Sequence, residues 1–342
     1  MNIFRKFCAA SRRMQVFLIS LLIIVLWILW PADDQAHKLH PPLIASKPLD
    51  SCKEVRPRFG PYQEAAIDTP GLYCIAVDFW QQRLSDFAGH TGPPPYHHLL
   101  AVIANDVTVD LTNRILHSDG DSGGIGTERI EQGVNPMPRN ITIRNGILDL
   151  RGLGTAVDIS DHWTMDDVNA RPPKDFPGFK KSGVILENLL IKTDNVGVML
   201  EGDGNIIRNC IIESGGNSAI MMAGPNGRIL NNTIVLNEPL VPTWLKPRSY
   251  IEQLINLHEF RKMTRAAITL HSASGTVIRG NRIEVKGKSS TRHNIFLTDS
   301  SINVQIEGNT IVGMEEPVKL MAGSTANLKN NIYEQRRPWW KF

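Results

Sequence analysis

Nine residues of this 342-residue chain have the types and the grouping to carry chemistry: Asp158, Asp161, His162, Asp166, Asp167, Glu201, Asp203, His271 and Asp299. The first seven gather around one stretch of irregular sequence, and the last two follow further along. Carboxyl groups held on either side of a glycosidic bond can act as acid and base. The same oxygens suit Ca2+, a hard cation that takes six to eight oxygen ligands. Asp158, Asp161, His162, Glu201 and His271 are therefore the candidate catalytic residues, and Asp161, Asp166, Asp167 and Glu201 the candidate Ca2+ ligands. Trp163, Phe176, Phe179 and Trp244 offer flat apolar faces on which sugar rings could stack. Turns rich in Asp, Asn and Gly also arise for backbone reasons alone, so composition by itself does not make this a site. Met199, Met221 and His271 are ligand types soft enough for copper. Their spacing is also that of packing side chains, which leaves copper handling as a remote alternative.

These residues hang on a repeat. Across residues 181–237 a phrase of the form apolar-x-x-Asn-x-apolar alternates with a shorter apolar-x-apolar phrase. Aligned over the chain, the first phrase puts asparagines at 145, 188, 209, 232, 281, 309 and 331, and the second begins at Val157, Val198, Ile220, Ile268, Ile295 and Val318. The two interleave without a miss. Each unit holds short β runs broken by Gly, Asn or Asp and has no room for a helix, so it buries its apolar residues only by stacking on its neighbour. Stacked units pair strand on strand in parallel, about 4.8 Å apart. The seven registered asparagines are then expected to form an amide ladder. The fold class is all-β, a right-handed parallel β-helix of about seven coils. A leucine-rich repeat is the alternative fold, but the segments here are too Gly- and Ile-rich for it and lack its leucine frame.

Stacking also sorts the second phrase into outward columns. One holds Asp158, Met199, Met221, Thr269, Phe296 and Lys319; the other holds Ser160, Glu201, Ala223, His271, Thr298 and Met321. Two insertions interrupt the period, residues 161–181 and 238–263. The second carries an amphipathic pattern at Ile251, Leu254, Ile255, Leu257 and Phe260 that predicts a short helix over 250–263. Both flank the same sheet, which is the expected cleft, and the amphipathic segment is a natural cover for Met199, Met221 and Phe296.

The phrase from Ile103 to Leu111 (IANDVTVDL), followed by Asn140 to Gly146 (NITIRNG), resembles the opening coils of right-handed parallel β-helix proteins of the pectate-lyase-like superfamily. The resemblance covers roughly residues 70–333. It implies a polysaccharide partner and a lyase, hydrolase or epimerase activity. Asp158-Ile159-Ser160-Asp161-His162 looks loosely like the Ile-Asp-His signature of pectate and pectin lyases, with Ser160 interrupting it. A lyase of that kind also needs a basic residue over its carboxylates, for which Arg171, Lys174 and Arg208 are candidates. The set of polar motifs typical of polygalacturonases is not found. Fold does not fix function, and a non-catalytic scaffold or binding protein of the cell envelope remains the alternative.

The rest of the chain sets the compartment. Residues 14–30 contain only Gln15 and Ser20 as polar residues, and Arg5, Lys6, Arg12 and Arg13 precede them. That is the pattern of a short signal anchor with its basic flank in the cytoplasm; a cleaved signal peptide is the alternative, although no small-x-small site follows closely. The reading is thus a basic segment (1–13), a transmembrane anchor (14–31), a proline-bearing linker (32–52), a cap of the solenoid (53–97), the β-helix (98–333) and a basic aromatic tail (334–342) that plugs the last coil. The β-helix is expected outside the cytoplasm, on the periplasmic side of the inner membrane if the source is bacterial. Net charge is +3; the 37 basic residues less those four leave 33 against 34 acids, so no nucleic-acid partner is implied. Of four cysteines, Cys52 and Cys74 both lie in the exported part, where a disulfide can persist. Phe79 to Phe87 reads as a short helix.

Overall fold

The computed structural model describes residues 51–57, 64–81, 98–119, 122–127, 137–151, 154–160, 178–237, 265–286, 292–298, 300–314 and 316–334. The expected anchor, nearly all of the linker, the amphipathic insertion and the tail after residue 334 lie outside these, as does most of the first insertion. Among the described residues no helix is long and apolar enough to cross a membrane.

The described residues form 26 strands, β1 to β26, in two sheets of 17 and nine strands, and the pairings between strands are parallel. In the nine-stranded sheet, β10 (Val157–Ile159), β12 (Val198–Glu201), β15 (Ser218–Ala223), β18 (Arg265–His271), β21 (Arg292–Leu297) and β24 (Val318–Leu320) lie in that order. The chain therefore advances one strand per circuit, as a parallel β-helix. The two apolar positions of each strand stack into inward columns. Val157, Val198, Ile220, Ile268, Ile295 and Val318 form one, and Ile159, Leu200, Met222, Leu270, Leu297 and Leu320 the other. Each rung buries these residues only with a rung on either side. Leu297 is fully buried, whereas Leu320, in the last rung, is 39% exposed.

Segment 53–97 contributes paired strands as well. β1 (Lys53–Val55) pairs with β3 (Gly71–Ile75), and β2 (Ala65–Ile67) begins the nine-stranded sheet. Stacking thus starts well before residue 98, and the nine-stranded sheet exceeds the six rungs that the second phrase supplies. The helix expected over 79–87 does not form at its start: Phe79–Gln81 is strand β4, with Phe79 and Gln81 buried and Trp80 exposed. Inward-outward alternation at period two wins there over a helical pattern.

The asparagine alignment needs one correction. From the fourth phrase onward, Asn232, Asn281, Asn309 and Asn331 make the expected ladder. Each Nδ2 donates to the next residue's Oδ1 at 3.0 Å, through to Asn331. Asn145, Asn188 and Asn209 stand one position earlier, with φ of 59°, 54° and 54°, alongside Asn231, Gly280, Gly308 and Asn330 in the same left-handed turn position. The pairing register agrees, since Ile206 pairs with Arg228 and Ile211 with Thr233. Asparagine suits both slots because its short amide tolerates the left-handed region and also stacks in ladders. In the third coil Cys210 fills the ladder slot, its N–H donating to Asn232 Oδ1 at 2.9 Å. Burial pushes this free thiol up to about 12.

Cys52 and Cys74 are joined by a disulfide that closes a separation of 22 residues, with their Cα atoms 5.7 Å apart. It ties down β1, a three-residue strand at the end of the sheet. Replacing both cysteines with serine is expected to cost about 3 kcal/mol by the chain-entropy argument. Amide hydrogen exchange would check this, with β1 and β3 exchanging faster and β12 to β21 unchanged. Uniform acceleration along the stack would contradict it.

Candidate active site

The outward columns of the nine-stranded sheet have the register expected from sequence. Asp158, Met199, Met221, Thr269, Phe296 and Lys319 stand side by side on successive strands, and so do Glu201, Ala223 and His271. From Met199 to Phe296 this outer face is shielded from water, while Asp158 and Lys319 at its ends are half-buried. Met199 and Met221 pack with Val196, Ala223 and the partly buried Phe179, and Phe296 packs with Ala266.

Two ionisable residues sit in that shielded face. Glu201 is 6% exposed and His271 is 1% exposed. They occupy the same column two strands apart, about 10 Å between backbone positions. Ala223 between them is fully buried and packs with Met199 and Met221.

The hydrogen bonds orient His271. Thr298 Oγ1 lies 3.1 Å from Leu270 O, to which it can only donate, and 3.0 Å from His271 Nδ1. With its single proton on the Leu270 carbonyl, the hydroxyl accepts from Nδ1–H. In a neutral imidazole that leaves the lone pair on Nε2, the tautomer a general base requires.

Asp158 stands in the neighbouring column beside Met199, and Ser160 Oγ donates to its Oδ1 at 2.6 Å. The structure therefore brings Glu201 and His271 onto one column and places Asp158 on the adjacent strand, one column over. Asp161, His162, Trp163, Asp166, Asp167, Arg171 and Trp244 lie outside the described residues. Among the described residues no group of three or more His, Cys, Asp or Glu forms a metal cluster. Of the candidate Ca2+ ligands only Glu201 is described. The thioethers of Met199 and Met221 are engaged in an apolar cluster, which accounts for their alignment by packing.

Sequence reasoning missed a second polar group, on the outside of the long sheet. Trp80 (β4), His117 on β7 (Ile115–Ser118) and Asp149 on β9 (Ile141–Leu150) stand side by side on successive strands. His117 Nδ1 is 3.1 Å from Asp149 Oδ2 and its Nε2 is 3.1 Å from Asp119 Oδ1. Trp80 leans over the imidazole with ring centroids 4.6 Å apart and 42° between planes. Burial lowers the pKa of His117, but its bonds to Asp149 and Asp119 and their charges outweigh this, and the net shift is upward from 6.5. The signal that could have revealed the group is the stacking register itself, which the sequence reading did not extend to the strands before residue 140.

A pH dependence follows. A histidine with a raised pKa in the folded state contributes stability that is fully present below its unfolded pKa and is lost as pH rises through the folded value. The melting temperature should therefore fall between mildly acidic and mildly alkaline pH by more in the native protein than in His117→Gln. Parallel pH profiles for the two would contradict this.

Residues 179–337 match the family described as right handed beta helix region. No curated protein matches the sequence. Among solved structures the chain is similar to the enzymatically active domain of tailspike protein 2 of bacteriophage CBA120. The two share 12% identity with a TM-score of 0.38, over 78% of this chain and 38% of that one. The chain thus spans well under half the length of that structure, and at this score the likeness lends nothing to the assignment of a site. The chain is an all-β protein with the right-handed β-helix fold.

Proposed function

We propose that this protein is a membrane-anchored, extracytoplasmic β-helix that binds a polysaccharide on the outer face of its nine-stranded sheet and processes it there. The observation that carries the reading is the placement of Glu201 and His271, two ionisable groups kept on a shielded outward face with alanine between them. Buried ionisable groups need partners, and Thr298 supplies one for His271 at its Nδ1. In this reading His271 Nε2 takes a proton and Glu201 serves as its acid or base partner across Ala223, the division of labour shared by lyases, hydrolases and epimerases. Asp158 supports the neighbouring strand. Ca2+, held by the acids of the first insertion, would neutralise the acid groups of a polyuronate substrate.

The experiment is product analysis of acidic and neutral polysaccharides incubated with the protein, with and without Ca2+, beside Glu201→Gln and His271→Gln. New reducing ends, unsaturated termini or epimerised units should form with the native protein and drop by 100-fold or more in either variant, the scale expected for loss of an acid or base. Binding without product, equal in all three proteins, would replace this reading with that of a non-catalytic envelope scaffold.

A further inference from the structure

On the long sheet, β11 (Ile185–Thr193), β13 (Ile206–Arg208), β16 (Arg228–Leu230), β19 (Val277–Arg279), β22 (Val304–Glu307) and β25 (Ala326–Lys329) stack in that order. One outward column across them reads Glu187, Arg208, Leu230, Arg279, Glu307, Lys329. Charge alternates along it except at one place, where Leu230 stands between Arg208 and Arg279 and an acid is due. The two ion pairs flanking that gap lead away from it. Arg208 Nε donates to Glu187 Oε2 at 2.7 Å on one side, and Arg279 Nη1 to Glu307 Oε1 at 3.4 Å on the other. A third guanidinium belongs to the exposed Arg228, two residues before Leu230 on the same strand, with Ile206 and Val277 as its neighbours in register. Among the described residues no acid pairs with the Arg228 side chain. The other acids of this face have neighbours of their own. Glu284 and Glu334 lie with Arg282, Glu213 stands beside Lys192, and Asp203 accepts from Asn226 Nδ2 at 2.8 Å.

We propose that Arg208, Arg228 and Arg279, set around Leu230, bind the carboxylate of a uronate sugar in an acidic glycan, the anion taking the place in the column where the acid is missing. Strand geometry puts the backbones of Arg208 and Arg279 about 4.8 Å to either side of Leu230 and that of Arg228 about 7 Å along the strand. Guanidinium groups keep their charge at every physiological pH, so three positive charges border one gap. An arginine fork takes a carboxylate through two parallel N–H donors, a fit that a point charge lacks. Arg228 offers that fork with no ion pair to break first. The half-buried Leu230, Ile206 and Val277 make an apolar floor for the C–H face of the sugar ring. Charge selects the class of ligand. A neutral sugar brings no partner for the guanidinium groups, and a cationic one is repelled. A free inorganic anion brings the charge without the ring. The site lies on the long sheet and does not depend on the nine-stranded sheet binding glycan.

The test is fluorescence anisotropy of labelled hexagalacturonate with the full chain, held in a detergent without sugar headgroups at low ionic strength. It is run in the double variant Glu201→Gln/His271→Gln, so that the nine-stranded sheet does not contribute. Unlabelled hexagalacturonate, maltohexaose and inorganic sulfate serve as competitors. Hexagalacturonate should bind, with an affinity about tenfold weaker once Arg228→Gln is added. Leu230→Glu supplies the missing acid and should weaken binding at least as much, while Leu230→Gln, of the same size without the charge, should weaken it less. Arg228→Gln alters an exposed side chain and therefore reports on the site whatever Leu230→Glu does to the strand. Four results would each overturn the proposal: no binding of hexagalacturonate, displacement by maltohexaose or sulfate as effective as by hexagalacturonate itself, an affinity that Arg228→Gln leaves unchanged, or equal losses in Leu230→Gln and Leu230→Glu.

Discussion

Replacing Arg265 with methionine is expected to destabilise the protein by about 3 kcal/mol, since each buried carbonyl left without its donor costs about 1–3 kcal/mol. Arg265 opens β18 and is fully buried. Its guanidinium donates to Gly215 O (2.7 Å), to Gly216 O through Nε (2.9 Å) and again through Nη2, and to Asn237 O at 3.4 Å. The fork thus ties the glycine turn between β14 (Ile211–Ser214) and β15 to the end of β17 (Thr233–Leu236). Gly216 has no room for a side chain, because a Cβ there would meet the backbone of Asn195 and Val196. Methionine keeps the stem's packing but leaves buried carbonyls without a partner, at about 1–3 kcal/mol for each group. Arg265→Lys, with a point charge in place of the planar fork, should lose less. Equilibrium denaturation of the three proteins measures the difference, and a methionine variant as stable as the native protein would contradict the assignment.

The second large effect lies in the asparagine ladder. Asn281 Oδ1 accepts from Asn232 N–H (2.8 Å) and Nδ2–H (3.0 Å), and its own Nδ2 donates to Ile229 O at 2.8 Å and Asn309 Oδ1 at 3.0 Å. Asn281→Leu removes an acceptor from two donors of Asn232 and a donor from two acceptors, Ile229 O in the coil of Asn232 and Asn309 Oδ1 in the next. All of these are buried, and a loss of about 3 kcal/mol is expected at 1–3 kcal/mol per stranded group, partly relieved by rearrangement. Asn331 closes the ladder in the last coil, where water can replace a lost partner. Asn331→Leu should cost less than half as much. Equal losses at the two positions, measured by denaturation, would show that stacking and not the amide bonds carries the stability.

The sequence made the fold legible because a solenoid repeats its physics in every coil. The inward columns, the outward order from Asp158 to Lys319 and the half of the ladder from Asn232 to Asn331 all follow from spacing. What misled was chemistry that one residue type serves twice. The asparagines at 145, 188 and 209 satisfy a left-handed turn, those from 232 onward satisfy a ladder, and a one-letter alignment merges them. The site was legible only as a column. Spacing placed Glu201 and His271 together with Ala223 between, but it could not show that this outer face is shielded, nor that Thr298 fixes the His271 tautomer. Arg265 and His117 escaped because partners from other coils explain them, glycine carbonyls for Arg265 and Asp149 for His117. The one local pairing, His117 with Asp119, does not by itself mark a site.

Calorimetric titration of polysaccharides into the native protein, Glu201→Gln and His271→Gln tests the central claim most directly, with Trp80→Ala as the variant that leaves the nine-stranded sheet intact. The account predicts that at least one polysaccharide binds the native protein through that sheet, that its affinity falls about tenfold or more in each of the first two variants, and that this binding survives in Trp80→Ala. If no polysaccharide binds, or if Glu201→Gln and His271→Gln bind as tightly as the native protein while melting at the same temperature, the outer face of the nine-stranded sheet is not a glycan site.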